Sequence, residues 1–502
     1  MKRIIFDDEI TIWWDLDKFQ NATDYKFYLD GIYHGETQKT HYTFKGLQEK
    51  KAYQVRVEAY MPDGSIEQEI LEIQTKAKKK DIDVTKAPYC AVGDGKTINT
   101  QAIQKALDDC KADERVYLPA GVYLTGALDI HSDTEIYVAK NALLQGVKDA
   151  KSYLPKIKSR FEGVERMCYR SLLNMGELDH TAGYNCQNVV IRGEGAIYGG
   201  GVELAKDILE TERAELREFL EKNADYVKEC EDENTIPGRV RGRLINISNT
   251  QNVILSGLSV GYGAAWNIHF IYSKDILTYG CTIRSHNMYD ENGQVERGAV
   301  WNGDGWDPDS SENCVIFDCL FETWDDGIAI KSGKNPEGNV VNRPTKNVCI
   351  FDCRGKNGVA VGTELSGGIE GVYVWDCEYL HSQLAINLKT TVKRGGYIKK
   401  VSVRKCYLTS IGLRTAVCYN NDGEGAGVLT EISDLYFEDI RLKGNGDFIK
   451  ESTPIFFEGF DEETKIRNLS LRNVRIDNNN GETQKIVIKN VENVVTDIRF
   501  ES

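Results

Sequence analysis

A seven-residue unit recurs along the second half of this 502-residue chain and constrains the fold more than any other feature. Its copies begin at residues 252, 275, 313, 347, 371, 400, 434 and 468 and read NVILSGL, DILTYGC, NCVIFDC, NVCIFDC, GVYVWDC, KVSVRKC, DLYFEDI and NLSLRNV. Repeats spaced by roughly 20 to 40 residues are typical of stacked units that share one core. Because each copy supplies one short alternating strand followed by polar turn residues, the pattern predicts a β-solenoid rather than an array of helices.

The seventh residue of each copy is small and apolar, and in five copies it is cysteine. These are Cys281, Cys319, Cys353, Cys377 and Cys406. We expect them to form a ladder of packed thiols inside the solenoid rather than to bind metal, since the chain has no C-x-x-C pair. An odd total of 13 cysteines in strand-like runs favours free thiols over a disulfide framework, hence a reducing compartment. No signal peptide or long apolar run is evident, so the sequence predicts a cytoplasmic protein that does not contact membranes.

Residues 1–76 read as a separate small β domain. Short alternating runs at 9–14, 25–29, 41–44, 53–60 and 66–73 are separated by turn residues. The spacing of Leu47 and Tyr53 resembles a tyrosine corner, Trp13 or Trp14 would fill the core, and the segment resembles a fibronectin type III module. We expect a spacer or packing domain, with carbohydrate binding as the alternative role, followed by a lysine-rich linker over 77–84.

Two stretches of the remaining chain predict helices. Asn99 or Thr100 can cap a first helix with apolar residues on one face, and the passage around it resembles the opening of right-handed parallel β-helix enzymes of the pectinase type. The highly charged stretch 202–230 predicts a helical insertion near one end of a cleft. The predicted fold is therefore all-β, a right-handed parallel β-helix over 85–502 preceded by a β-sandwich.

An acidic cluster lies between residues 301 and 331, where Asp304 is followed 21 residues later by the pair Asp325 and Asp326. Most Asp-Gly clusters are solvated turns. In a solenoid, however, neighbouring coils stack at roughly 4.8 Å, so carboxylates one coil apart point into the same patch. Like charges in contact raise the pKa of one group and can supply both an acid and a base, which glycosidic hydrolysis requires.

Later coils bring further polar residues into register with that patch. They are Asn357, Glu364, Asn387, Lys389 and Arg394. The net charge of −15 argues against nucleic acid as a partner. A pair of cations next to an Asp cluster in so acidic a chain suggests a sugar that carries a carboxylate. The alternative is that the same cations only neutralise the aspartates.

Four segments together resemble glycoside hydrolase family 28, the polygalacturonases. NGDGWDPDSS, which begins at Asn302, is similar to the N-T-D segment of that family, and ETWDDGIAIKSG is similar to its D-D segment. GVAVGTELSGG and INLKTTVKRGG are similar to its G-H-G and R-I-K segments, and the extended forms resemble the exo-acting branch. The resemblance implies an inverting hydrolase of pectic oligosaccharides that needs no metal or other cofactor.

The same resemblance implies roles for individual residues. Asp325 would be the general acid, Asp304 and Asp326 would hold and deprotonate the attacking water, and Lys389 would bind the uronate carboxylate. Asn302, Asn357, Glu364, Asn387 and Arg394 would complete the substrate site. Inverting enzymes keep their two carboxyl groups roughly 6.5–9.5 Å apart, whereas stacked coils predict a shorter separation.

Two positions depart from the family pattern. Asn357 stands where the family has His, and Asn387 stands where it has Arg, with Arg394 as a candidate replacement. Because Asn cannot carry charge, a rhamnogalacturonan-type or other pectic glycosidase is an alternative to a galacturonan hydrolase. A lyase-like eliminase, which usually needs Ca²⁺ held by carboxylates, and a non-catalytic carbohydrate-binding solenoid are the alternatives from other classes.

Overall fold

A computed structural model describes residues 1–228, 230, 232–382, 384–415, 423–444, 452–477 and 484–501 of the chain. It divides into two compact units, Met1–Asp81 and Ile82–Ser502. Each unit has its own hydrophobic core.

The first unit is a small sandwich of two antiparallel sheets. Its strands are β1 (Lys2–Ile5), β2 (Glu9–Trp13), β3 (Asp24–Leu29), β4 (Ile32–Thr37), β5 (His41–Lys45), β6 (Ala52–Tyr60) and β7 (Ile66–Gln74). The sheets have the orders β1-β2-β5 and β4-β3-β6-β7. Trp14 is the core indole, with its ring 4.9 Å from that of Tyr25. The Tyr53 hydroxyl accepts a hydrogen bond of 2.8 Å from the backbone N–H of Gln48, as in a tyrosine corner. The β-sandwich is confirmed, whereas the fibronectin type III assignment stays a prediction.

The second unit is the predicted right-handed parallel β-helix, in which three rows of strands stack coil upon coil. The first row consists of β8 (Lys80–Asp83), β10 (Glu114–Leu118), β13 (Glu135–Val138), β18 (Cys186–Gly193), β21 (Thr250–Ser256), β24 (Lys274–Tyr279), β29 (Glu312–Phe317), β32 (Thr345–Phe351), β35 (Ile369–Trp375), β38 (Tyr397–Arg404), β41 (Glu431–Leu442), β43 (Ile466–Asp477) and β45 (Val491–Glu501). The second row consists of β9 (Asp94–Ile98), β11 (Gly121–Thr125), β14 (Ala142–Gly146), β19 (Ala196–Tyr198), β22 (Ser259–Gly261), β25 (Thr282–Arg284), β30 (Leu320–Glu322), β33 (Arg354–Gly355), β36 (Glu378–Tyr379) and β39 (Tyr407–Leu408).

The third row carries most of the predicted site residues. It consists of β12 (Leu128–Ile130), β17 (Leu173–Met175), β20 (Ile245–Ser248), β23 (Ile268–Ile271), β28 (Trp306–Asp309), β31 (Ile328–Ile330), β34 (Val359–Val361), β37 (Ile386–Lys389), β40 (Ile411–Arg414), β42 (Ser452–Glu458) and β44 (Gln484–Lys489). Two antiparallel hairpins project from the coils, one formed by β15 (Ile157–Phe161) and β16 (Val164–Cys168) and the other by β26 (Met288–Tyr289) and β27 (Val295–Arg297).

The seven-residue repeat sets the register of the first row. The second residue of every copy pairs with the second residue of the next copy, and all eight are buried. In order they are Val253, Ile276, Cys314, Val348, Val372, Val401, Leu435 and Leu469. Strict alternation fixes this register, because a slip of one residue would turn every apolar side chain outwards.

The first residue of most copies is Asn or Asp for a conformational reason. Asn313 and Asn347 have φ of 55° and 56°, in the left-handed region that Asn tolerates better than most residues. The Asn347 amide donates to Asn313 Oδ1 at 3.3 Å, and Asn313 donates in turn to Asp275 Oδ1 at 2.9 Å. The repeat therefore carries an amide ladder at the bends of β24, β29 and β32.

The predicted cysteine ladder is confirmed. All five thiols lie in the core of the β-helix, and none of the twelve cysteines that the structure describes forms a disulfide. A stack of aromatic rings formed by Tyr279, Phe317, Phe351 and Trp375, with centroids 4.4–5.2 Å apart, runs beside it. Side chains of one kind thus repeat coil after coil, as stacking demands.

Helices are few and lie at the ends or edges of the coils. They are α1 (Thr100–Asp109), a 3-10 helix (Ala150–Tyr153), α2 (Gly201–Glu215), α3 (Arg217–Lys222), α4 (Ala224–Lys228), α5 (Thr235–Gly238) and α6 (Glu337–Val341). Asn99 precedes α1, but its side chain accepts from the backbone N–H of Val92 at 2.7 Å and does not cap the helix. The charged stretch forms α2 to α4, and within the described residues no helix has the length and apolarity to span a membrane.

Candidate active site

The outer face of the third row holds a line of charged side chains. In β28 and β31, Trp306, Ile328 and Ile330 point into the core. Alternation therefore turns Asp307 and Lys331 outwards, and Asp309 pairs with Lys331 on the next coil. Charged residues on this face are buried all the same, because loops and the β15–β16 hairpin cover it.

Asp304, Asp325 and Asp326 occupy the turns that lead into β28 and β31, on neighbouring coils. The backbone N–H of Gly305 donates to the carbonyl of Asp326 at 3.0 Å, and the N–H of Trp306 donates to Gly327 at 3.1 Å. The two turns are therefore held side by side, and the structure brings the three carboxylates together.

Asp304 is buried beside a lysine. Lys331 Nζ lies 3.2 Å from Asp304 Oδ2. Burial raises the pKa of Asp304 to about 8, and Asp325 and Asp326 contribute by repulsion, against the opposing charge of Lys331. Asp304 therefore carries a proton at neutral pH in the ligand-free protein.

Asp325 and Asp326 differ in their surroundings although they are adjacent. Burial, and then the charge of Asp326, raise the pKa of Asp325. Asp326 instead accepts a hydrogen bond of 3.0 Å from Lys389 Nζ to its Oδ2. The pair thus combines a carboxyl group that favours its protonated form with a carboxylate that is paired to a cation.

Lys331 and Asp307 are functional candidates that the sequence prediction leaves out. Lys331 Nζ lies 3.8 Å from Glu364 Oε2 and 4.0 Å from Asp307 Oδ1, in addition to its contact with Asp304. Burial alone would lower the pKa of Lys331, but these carboxylates raise it well above its ordinary value. Its position one residue after β31, at the alternate place that faces outwards, is the signal that could have identified it.

Asp307 has no hydrogen-bond partner for either carboxylate oxygen among the described atoms. Burial raises its pKa well above the ordinary value, with Asp304 as the next cause. Five carboxyl groups thus share two lysines and one arginine in this region, and the pKa values of Asp304, Asp307 and Asp325 are raised.

Glu364 and Arg394, both predicted to bind substrate, are buried. Despite burial, Lys331 and Arg394 lower the pKa of Glu364. The Arg394 side chain is fully buried, donating from Nε to the Thr363 carbonyl at 3.0 Å and from Nη1 to Asn335 Oδ1 at 2.5 Å. A side chain so enclosed is placed to compensate Glu364 rather than to replace a guanidinium in the cleft.

Asn357 supports the turn that carries Asp325. Its amide Nδ2 donates to the carbonyls of Thr323, Trp324 and Asp325 at 3.1, 3.1 and 2.7 Å. The predicted role in substrate binding stays a prediction, and the observed contacts give Asn357 a positioning role.

Asn387 lies on the outer face of β37 between two small residues. Its neighbours across the row are Ala360 and Gly412. Its Oδ1 atom is buried and has no hydrogen-bond partner among the atoms that the structure describes. Asn302 is exposed and accepts from Arg241 Nη2 at 2.7 Å, which ties the start of the first acidic segment to the loop after α5.

The β15–β16 hairpin forms a wall beside these groups. Its Arg160 lies 2.7 Å from Asp309 Oδ1, and its Phe161 stacks on Trp266 with a centroid distance of 4.8 Å. Burial lowers the pKa of His269, next to that wall, to about 4, so its ring is neutral near pH 7. Lys331 Nζ sits 4.5 Å above the Trp266 ring, which joins the wall to the carboxylates.

No group of three or more His, Cys, Asp or Glu side chains within the described ranges is arranged to hold a metal ion. The chemistry that this arrangement supports is proton transfer between carboxyl groups of different protonation state, next to lysines that attract an anionic ligand.

Comparison with known proteins gives a consistent result. The model of glycosyl hydrolases family 28 matches residues 131–496. A Vitis vinifera protein named "Probable polygalacturonase" is 30% identical over 336 residues, 63% of this chain and 58% of that protein. The "Exo-poly-alpha-D-galacturonosidase" of Dickeya chrysanthemi is 25% identical over 461 residues, 82% of this chain and 74% of that one.

Among solved structures, a family 28 exopolygalacturonase from Yersinia enterocolitica superposes with a TM-score of 0.78 at 19% identity. That match covers 99% of this chain and 95% of the Yersinia chain. At this identity the likeness establishes the fold, and it includes the part of the chain that precedes the β-helix.

Proposed function

The chain belongs to family 28 of the glycosyl hydrolases, as its four motifs predicted, and from that premise we propose that it releases galacturonic acid from the ends of pectic oligosaccharides. The observation that carries the proposal is the contrast between Asp325 and Asp326. One is a carboxyl group whose pKa is raised, and the other is paired with Lys389 at 3.0 Å.

Asp325 is the general acid of the proposed reaction. It gives its proton to the glycosidic oxygen as the bond between that oxygen and the anomeric carbon breaks. Its raised pKa favours the protonated form that an acid needs, and the Asn357 amide fixes the turn from which it acts. The partial exposure of Asp325 leaves room for a sugar to reach it.

Asp326 is the general base. It accepts a proton from a water molecule whose oxygen bonds to the anomeric carbon on the opposite face, so the configuration inverts. Asp304, protonated in the ligand-free protein, donates a hydrogen bond that orients this water, and the proton released goes to Asp326. This assignment restricts the predicted role of general base to Asp326, because a protonated Asp304 has no free site for a second proton.

Two features support an anionic substrate that is bound by its end. Lys389 offers a charge-assisted hydrogen bond to a uronate carboxylate. The β15–β16 hairpin packs against the coil that follows β31, where the backbone N–H of Lys334 donates to the Gly163 carbonyl at 2.8 Å. A wall at this place favours a pocket over an open groove and hence removal of single sugars.

The test is a product analysis with defined oligogalacturonides. We expect galacturonic acid as the first and only early product, released with inversion, and no early fall in the viscosity of polygalacturonate. A rise in absorbance from unsaturated products would instead identify an eliminase, and rapid viscosity loss would identify internal cleavage. No release of sugar from any pectic oligosaccharide would identify a non-catalytic solenoid.

One observation favours a second candidate substrate. The buried Oδ1 atom of Asn387 can accept a hydrogen bond but cannot pair with a carboxylate. A neutral sugar with a hydroxyl group at this place, as in rhamnogalacturonan, would satisfy it. Hydrolysis of rhamnogalacturonan oligosaccharides in preference to oligogalacturonides would establish that candidate.

The proposal extends to two features of the whole protein. A fibronectin type III assignment for the sandwich is supported by the hydrogen bond between Gln48 and Tyr53. A cytoplasmic location is supported by the buried free cysteines, which are typical of reducing compartments. Fractionation of the source cells would test the location.

A further inference from the structure

An exposed aromatic side chain directly precedes the proposed acid in the chain. Trp324 directly precedes Asp325, and 52% of its surface is exposed. Large apolar side chains in such positions are common on protein surfaces, so exposure alone shows little. Here, however, the neighbouring residue acts on the leaving group.

Trp324 is held in place by the structure around it. The backbone N–H of Trp324 donates to Ser285 Oγ at 3.0 Å, and its backbone carbonyl accepts from Asn357 Nδ2 at 3.1 Å. The His286 ring packs against the indole with a centroid distance of 5.3 Å. Trp324 is therefore a fixed platform at the start of the catalytic turn.

His286 also borders a hollow of about 600 Å³ at the turn between the second and third rows. Its lining includes Lys356 and, from the β26–β27 hairpin, Met288 and Tyr289. The Tyr289 side chain is exposed as well. The size of the hollow falls within the range of sites that bind small molecules.

The charge of this hollow is positive in a strongly acidic chain. Arg284 pairs with Glu322 by a short contact, and Arg354 lies opposite Glu378 in the strand register. Lys356 differs from both, because its partner is the ring of His286 at 3.0 Å and no carboxylate within the described ranges pairs with it. Burial and the charge of Lys356 lower the pKa of His286, so the ring accepts the hydrogen bond and leaves the ammonium charge uncompensated.

We propose that Trp324, His286 and Lys356 form the subsite for the leaving sugar, with a uronate ring stacked on Trp324 and its carboxylate bound by Lys356. The inference rests on the proposed function, since it assumes that Asp325 protonates the leaving oxygen. Asp326 contacts Lys389, whereas Trp324 contacts His286 and, through that ring, Lys356, so the proposal assigns the two sugars beside the cleaved bond to different cations. Recognition of the leaving sugar would then not depend on position 387.

The test compares two substrates of the intact protein. Digalacturonate places a uronate in the proposed subsite, whereas 4-nitrophenyl α-galacturonide replaces that sugar by an aryl group. We expect Trp324→Ala to lower kcat/KM for digalacturonate about tenfold or more, from lost apolar contact. Lys356→Met should lower it about 10- to 100-fold, since hydrogen bonds to charged groups are the stronger ones. For the aryl substrate we expect losses at least fivefold smaller.

The matched controls are Tyr436→Ala, an exposed aromatic on β41, and Lys405→Met. Neither control should change the ratio of the two substrates. A disaccharide whose leaving sugar has a reduced, neutral carboxyl group should be a poorer substrate for the wild type and should lose that disadvantage in Lys356→Met.

Equal losses on both substrates, or no loss on digalacturonate, would overturn the inference and leave the proposed function standing. Release of galacturonic acid from neither substrate by the wild type would overturn both. Failure of the subsite inference is therefore measured on the variants, whereas failure of the proposed function is measured on the wild type.

Discussion

Lys389 Nζ lies 3.0 Å from Asp326 Oδ2, across two coils of the β-helix and 63 residues along the chain. The contact joins the proposed base to the lysine that the sequence assigns to the substrate carboxylate. In the proposed mechanism the same cation pairs with Asp326 in the ligand-free protein and with the substrate carboxylate after binding, so that substrate charge is coupled to the state of the proposed base.

Replacement of Asp325 tests the acid. Asp325→Asn should lower kcat by about 10²- to 10⁴-fold, because general acid catalysis contributes that much. Binding of oligogalacturonide, measured by calorimetry, should persist. The control is Asp497→Asn, an exposed carboxylate paired with Arg499 on the last strand. Turnover near that of the wild type would show that Asp325 is not the general acid.

Replacement of Lys389 tests substrate charge. Lys389→Met should raise KM steeply and lower kcat, since a bound uronate would lose its charge-assisted partner. The wild type should cleave a substrate with a reduced, neutral terminal sugar less well than the uronate substrate, and this difference should disappear in Lys389→Met. An unchanged KM would indicate that the uronate binds at another subsite and would favour the rhamnogalacturonan-type alternative.

Replacement of Asn357 tests its positioning role. Asn357→Ala removes the amide that holds three carbonyls of the catalytic turn, so kcat should fall about tenfold or more while KM changes little. If Asn357 instead bound substrate, KM would rise and kcat would stay near that of the wild type. Steady-state kinetics on one oligogalacturonide distinguish the two outcomes.

Removal of the Lys331 charge should destabilise the protein. Lys331→Met leaves buried carboxylates uncompensated, and loss of one partner of a buried ion pair costs about 3–5 kcal/mol. The loss should be smaller at pH 5 than at pH 8, because protonation neutralises the carboxyl groups. Urea unfolding at both pH values measures it, with Lys405→Met as the control. An equal loss at both pH values would contradict this account.

The raised pKa of Asp304 predicts a pH-dependent stability. A carboxyl group with a pKa near 8 in the folded state and 3.8 as its ordinary value binds more protons when folded, so its contribution is full below about pH 4 and lost as pH rises to 8. Asp304→Asn should therefore gain stability relative to the wild type as the pH rises through that window, by several kcal/mol, since one pKa unit is worth about 1.4 kcal/mol. A stability difference that does not vary with pH would contradict the assignment.

The positions of several site residues could be predicted from the sequence, because stacking of the coils brings residues of neighbouring coils together. Asp304 and Asp325 lie in turns before consecutive third-row strands, and Lys389 lies at the end of a strand two coils later. The identity of their partners was not predictable in the same way. Lys331 follows an ordinary short strand, and only the depth of the cluster turns it into a buried cation that contacts three carboxylates.

The amino-acid sequence by itself determined the repeat, the register of the first row, the cysteine ladder and the nearness of the three aspartates. The physical reason is that alternation leaves one way to bury every second side chain, and each coil must match the next. Only the tertiary structure decided that Arg394 is enclosed, that Asn357 binds the turn that carries Asp325, and that Trp324 packs against His286, which borders a basic hollow. These side chains lie in or beside loops of unequal length, where no repeat fixes the direction and where contacts between distant residues set the outcome.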